Sequence, residues 1–327
     1  MIRTQLTDMF GLEHPLILAP MGGVSGGALA AAVSNAGGLG LVGGGYGDRD
    51  WLQTELAHVK AHTDRAWGVG LITWSIDRTV LELALSHRPD AFLLSFGDPT
   101  PYAAAIKDAG CKLICQVQDL AQARVAAAVG ADLIVAEGNG AGGHSGARST
   151  LPFVPAAADA VAPIPVVAAG GIADGRGLAA ALMLGAHGAL IGTRFYASVE
   201  ALGHERAKKR LIAGAGDETV RTRVFDIVRG YAWPTEFPGR ALRNAFLERW
   251  HDRHGDLVSS LDGERAAYQD AARTGDTDIA VVWAGEAIDL IASIESAAVL
   301  VSRISAEAET RIRHVADSIG RLRDRDR

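Results

Sequence analysis

Along residues 15–192, short, nearly continuous apolar runs alternate with longer stretches in which apolar residues return every three or four positions. The short runs fall at 16–19, 39–42, 67–72, 91–95, 112–117, 133–136, 166–169 and 189–191. Continuous rather than alternating hydrophobicity is the mark of strands covered on both faces, as in a parallel sheet. The longer stretches at 27–36, 50–62, 79–87, 102–109, 120–129, 154–161 and 178–184 read as the helices that cover them. Eight strand–helix repeats in so short a span predict a TIM (β/α)8 barrel with its functional loops at the C-terminal ends of the strands. A doubly wound open sheet is the alternative that the same alternation allows.

After Phe195 the chain becomes charged and helix-rich, with helical patterns at 200–212, 219–227, 240–253, 263–273 and 285–323. The expected organisation is a barrel in 1–200, a smaller helical domain acting as a lid in 201–290, and a C-terminal helix in 291–327 that packs back on the barrel. The Arg/Asp-rich segment 321–327 reads as a frayed, solvated terminus.

Composition narrows the function. The 327 residues include 39 glycines, most of them where apolar runs end, so the backbone repeatedly turns sharply or approaches something closely. Thirty-two basic against 38 acidic residues leave a net charge of −6, no footprint for nucleic acid or an anionic membrane. Neither a secretory leader pattern nor a membrane-length apolar stretch is present. Cys111 and Cys115, four residues apart on the fifth run, read as buried thiols in a reducing compartment. A cytoplasmic enzyme of small molecules is the expectation, and a homodimer is compatible with it.

Four glycine-rich features are candidates for chemistry. Gly38-Leu-Gly40-Leu-Val-Gly43 fits the dinucleotide fingerprint formally, but a helix precedes it and the glycines run through a strand, so turn and packing roles are the better reading. The seventh and eighth strands end in Gly170-Gly171 and Gly192-Thr193, the usual place of a barrel phosphate site, where side-chain-free backbone N–H groups can face an anion; plain tight turns are the competing reading. Glu137-Gly-Asn-Gly-Ala-Gly-Gly-His-Ser-Gly146 is a loop costly to order unless it wraps a ligand. It carries His144, whose imidazole suits proton transfer near neutrality, the bland alternative being a histidine that satisfies loop carbonyls. Ala19-Pro-Met-Gly-Gly23 ends the first strand, where a flat ring could rest. His187, His204, His251, His254 and His314 lie in helical or charged segments and read as surface residues.

Taken together, Ala19-Pro20-Met21, Glu137-Gly138 through Ala141-Gly142-Gly143-His144, Ala168 through Gly175 and Gly192-Thr193-Arg194-Phe195 resemble the nitronate monooxygenase family, formerly 2-nitropropane dioxygenases. Val282-Trp-Ala-Gly-Glu286 looks like that family's segment from the second domain that approaches the flavin. The resemblance implies an FMN-containing barrel in which Gly170, Gly171, Gly192 and Thr193 hold the phosphate, Pro20, Met21 and Gly22 approach the isoalloxazine, and Gly142 and Gly143 line the cofactor. It implies His144 as the group that deprotonates a nitroalkane or orients a nitronate, with molecular oxygen completing conversion to a carbonyl compound and nitrite. Three positions depart from the family: Glu137, which is similar to the FMN-dependent enoyl-acyl-carrier-protein reductases; Gly70, where many relatives have Asn; and Gln116, an amide able to donate to a flavin carbonyl. Glu137 keeps open an NAD(P)H-dependent FMN reductase of enoyl thioesters or quinones. A non-redox isomerase or aldolase of a sugar phosphate, and a flavin-binding protein without turnover, complete the alternatives.

Overall fold

A computed structural model of the protein describes residues 2–325, with side chains through residue 319. Eight parallel strands form a nearly closed barrel: β1 (Leu16–Leu18), β2 (Gly40–Gly43), β3 (Trp67–Ile72), β4 (Ala91–Ser95), β5 (Lys112–Val117), β6 (Leu133–Glu137), β8 (Val166–Ala169) and β9 (Ala189–Ile191). They neighbour one another in the order β1-β9-β8-β6-β5-β4-β3-β2, and a parallel bridge between Ile17 and Leu39 closes β2 back onto β1. The open-sheet alternative is thereby excluded. Interposed in sequence but outside the barrel, the two-residue β7 (Gly143–His144) belongs to a second sheet with β10 (Thr219–Thr222) and β11 (Gly239–Leu242).

Strand side chains alternate between two faces, and the barrel uses both for packing. Ile17, Leu41, Leu93, Ile114, Val135, Val167 and Leu190 point inward and fill the interior, while neighbours such as Leu18, Val42, Leu94 and Ile134 meet the outer helices. Burying each such side chain contributes roughly 1.5–3 kcal/mol. The bottom is plugged by the helix Gln5–Phe10, which inserts Leu6 into the interior cluster and is fixed by a Thr4 capping box and a left-handed Gly11. The glycines of the false fingerprint have a packing role: a Cβ on Gly40 would lie 1.9 Å from the Ala30 carbonyl oxygen, so the helix Gly27–Asn35 sits directly on the strand.

Past the barrel the sequence pattern misleads in two places. Residues 219–227 and 240–253 are not simply helices: β10 and β11 form an antiparallel pair, and only Val224–Arg229 and Ala245–Trp250 are helical. Tertiary pairing overrides local propensity here, because β11 also completes its hydrogen bonding on β7. The predicted helix at 285–323 instead begins at Ala297, after a short 3-10 turn at Glu286–Leu290 and an extended strap. The strap is held by Arg194, wholly buried, which donates to the Ser293 carbonyl at 2.6 Å, and by the Val199 N–H donating to Glu295. Helix Ala297–Arg325 then lies along Gly175–Met183, burying Leu300, Val301, Ile304 and Ala308; a Cβ on Gly175 would stand 2.3 Å from that of Glu307. Residues 326–327 of the Arg/Asp-rich end lie outside the described residues.

Cys111 and Cys115 are free and buried, and burial pushes the Cys115 thiol up to about 12. Among the described residues no helix is long and apolar enough to cross a membrane, and no acidic, histidine or cysteine cluster is placed to hold a metal ion.

Candidate active site

A cavity of about 1280 Å³, counting its open mouth, occupies the C-terminal end of the barrel. It gathers every residue singled out from the sequence: Pro20, Met21 and Gly22 after β1; Gln116 on β5; Glu137 on β6; Gly142, Gly143 and His144; Gly170 and Gly171 after β8; and Gly192 and Thr193 after β9.

Two close approaches shape its floor. A Cβ on Gly70 would sit 2.2 Å from the Pro20 ring, and a Cβ on Gly43 would strike the Met21 backbone at 2.5 Å. Gly70 therefore makes room for Pro20. At one end of the floor Gly170 and Gly171 adopt left-handed φ values of 96° and 75°, which a side chain would resist, and space above Gly171 is open. β8 and β9 are paired, so Gly192 and Thr193 adjoin this turn. Thr193 is also structural, its hydroxyl accepting from the Gly285 N–H at 3.1 Å.

The other end is polar and buried. Gln116 and Gln118 donate to one Glu137 carboxylate oxygen at 2.9 and 3.1 Å. Burial outweighs these bonds and raises the Glu137 carboxyl to about 8, so it holds its proton at neutral pH. Gln118 Oε1 is buried without a hydrogen-bond partner, as is Ser145 Oγ.

The glycine loop after β6 is ordered by protein rather than by ligand alone. β7 pairs antiparallel with β11, His144 opposite Gly239, while Arg240 donates to the Asn139 carbonyl and the Glu286 N–H to that of Gly140. Gly142 lacks a side chain because Ala284 and Gly285 press on it: a Cβ would come within 2.6 Å of the Gly285 nitrogen. This pairing presents His144 to the cavity. His144 Nε2 and Asp226 Oδ1 are 2.9 Å apart, both side chains nearly inaccessible, and Nδ1 has no hydrogen-bond partner among the described residues. Burial pulls the imidazole below its ordinary value, Asp226 opposing and the Arg229 charge reinforcing the effect. The ring is therefore neutral at pH 7, with Nε2–H donating to Asp226 and a free lone pair on Nδ1. Trp233 stacks on it with centroids 3.4 Å apart and planes within 4°, while Phe96 and Trp283 close its edges.

Asp226, Arg229 and Trp233 are not marked as site residues by the sequence, and Trp283 is marked only as part of the 282–286 segment that resembles the family's. The signal for Trp233 is the crowding of Tyr231, Trp233 and Phe237 into a stretch without helical period, in a chain only 6% aromatic. Of the histidines read as surface residues, His204 and His314 are exposed, but His187, His251 and His254 are half-buried; none lines the cavity.

A β/α barrel with a glycine-lined cavity at its C-terminal mouth and a buried imidazole–carboxylate pair defines a small-molecule enzyme site, and the comparisons give its family. The chain belongs to the nitronate monooxygenase family, which it matches over residues 3–78 and 72–307. It is 36% identical to the nitronate monooxygenase of Neurospora crassa, with 95% of this chain and 94% of that one covered. A (3aS,4S,5R,7aS)-5-hydroxy-7a-methyl-1-oxo-octahydro-1H-indene-4-carboxyl-CoA dehydrogenase of Mycobacterium tuberculosis is 37% identical over 76% of this chain and 68% of its own. Among solved structures, FabK from Thermotoga maritima superposes with a TM-score of 0.87 at 31% identity, covering 97% of this chain and all of that one. The protein is an FMN-dependent oxidoreductase.

Proposed function

We propose that the protein oxidises alkyl nitronates with molecular oxygen to carbonyl compounds and nitrite, without a nicotinamide cosubstrate. The observation that carries this reading is the neutral His144, which lines the cavity and is tied through Nε2 to Asp226.

The residues present fit FMN. The left-handed glycines 170 and 171, with Gly192 and Thr193, suit the phosphate; the Pro20–Gly22 floor suits a planar ring; Gln116 and Glu137 supply hydrogen-bonding groups for the ring's polar edge; and Gly142 and Gly143 border the space between. When bound, FMN supplies the electron-transfer chemistry that links substrate to oxygen.

The chain's own residues handle protons and solvent. Nδ1 of His144 accepts the α-proton of a neutral nitroalkane, and Asp226 stabilises the imidazolium that results, holding the ring in one tautomer throughout. With a substrate already ionised, the same nitrogen orients it. Phe96, Trp233 and Trp283 enclose the imidazole in apolar surface and keep bulk water from it.

The deciding experiment is oxygen uptake by the FMN-loaded protein given ethyl nitronate in air-saturated buffer with no nicotinamide. Uptake with stoichiometric nitrite supports the reading. No uptake, together with flavin bleaching by NADH or NADPH under anaerobic conditions, favours a reductase or dehydrogenase of thioesters instead, the reading to which Glu137 and the CoA-thioester relative point.

A further inference from the structure

Arg229 ends the helix Val224–Arg229 and lines the cavity, one helical turn after Asp226 on the same helix. Its guanidinium makes no hydrogen bond or ion pair with any described residue. The contrast with the other buried or half-buried arginines around the barrel mouth is plain. Arg194 donates to the Ala197 and Ser293 carbonyls, Arg221 to that of Ser145, and Arg240 to Asn139, Thr219 and Glu286. Arg229 instead packs beside an aromatic pair: its central carbon lies 4.7 Å from the Tyr231 ring centroid and 5.6 Å from that of Tyr46. Those two rings stack at 3.6 Å with planes 11° apart, and the Tyr46 hydroxyl is fixed by the Trp233 indole N–H at 2.9 Å.

Packing against the side of this aromatic pair localises the guanidinium without spending any of its N–H donors. Asp226, the carboxylate on the same helix, engages His144 through Oδ1; it forms no ion pair with Arg229, although its charge acts on the guanidinium. A cation with an unused fork in a partly desolvated cavity is suited to a planar anion with two oxygens side by side.

From this placement, and resting on the nitronate reading above, we infer that Arg229 is the subsite that grips the anionic NO2 group of the substrate. It positions that group beside His144 and makes the ionised nitronate the preferred form over the neutral nitroalkane. The residue acts by binding; no bond is made or broken at it.

Nitrate, planar and unreactive, is the probe. It is titrated into the FMN-loaded protein at constant ionic strength, with chloride as the balancing anion, and followed by the flavin difference spectrum and by competition against ethyl nitronate. The wild type is expected to bind nitrate saturably. Arg229→Met should weaken that binding by roughly 10–100-fold, the range for losing hydrogen bonds to a charged group. Arg229→Lys, which keeps the charge and the aromatic contact but not the fork, should lose less and report on the site even if the Met variant folds poorly. The KM for the nitronate should rise by a similar factor, with a smaller change in kcat. Nitrate binding that is absent in the wild type, or unchanged in both variants with full FMN content, overturns the inference. If the wild type consumes no oxygen with nitronates, the proposed reaction falls, yet the nitrate titration still decides whether the anion subsite exists.

Discussion

His144 keeps one ring nitrogen for Asp226 and leaves the other for chemistry, so the two residues fail in different ways. His144→Asn should retain FMN while losing about 10²–10⁴-fold in turnover of a neutral nitroalkane, the usual worth of a positioned base; stopped-flow flavin reduction checks it. Asp226→Asn removes a charge that raises the imidazole's pKa. The acid limb of the kcat/KM profile should therefore move to lower pH as the plateau falls, and a limb moving upward would contradict the pairing. Glu137 offers a separate test in stability. Its native pKa, about 8, stands above the 4.5 of the free group, so between those values the native state holds a proton that the unfolded chain has released. Stability should fall as pH rises through that window, and Glu137→Gln should abolish this component of the slope in denaturant titrations across pH. His144 was legible in the sequence because its loop is so unusual in composition. Asp226 was not, since the hydrogen bond joins positions 82 residues apart and nothing local marks Asp226 as its partner.

At the level of elements, the barrel strands could be read because each is a short apolar run buried on both faces, and their observed bounds differ from the sequence reading by a residue or so. The β7–β11 pairing could not. Thr219–Thr222 and Gly239–Leu242 each carry an arginine and lack the continuous apolar run that marks the barrel strands, and their pairing with each other and with the His144 loop defines them. Gly239 is the tight point of that pairing, where an added Cβ would meet the Trp283 ring at 2.5 Å and His144 Nε2 at 3.4 Å. Gly239→Ala should cost about 1–3 kcal/mol, as overpacking does, and reduce kcat by displacing the imidazole. Thermal melts alongside steady-state kinetics would separate the two effects. Retained kcat in a destabilised variant would show that β11 braces the fold without aiming His144.

Across the whole molecule, the C-terminal helix packs on Gly175–Met183 and Gly27–Asn35, joining helices from the two ends of the barrel sequence. Leu300→Ala at this seam should destabilise by about 2–5 kcal/mol while leaving kcat and KM for nitronate unchanged, as measured by the guanidinium midpoint and steady-state kinetics. A parallel loss of activity would mean that the helix also shapes the cavity. The pairing of β7 with β11 has a consequence for biosynthesis. Domains tend to form in the order in which they emerge from the ribosome, and here the imidazole emerges long before either the carboxylate that fixes its tautomer or the strand that aligns it. A nascent chain arrested soon after the eighth barrel strand would thus carry Gly170, Gly171, Gly192 and the Pro20 turn but no aligned imidazole, so on the proposed reading the capacity to hold a flavin should arise during translation before the capacity to use it.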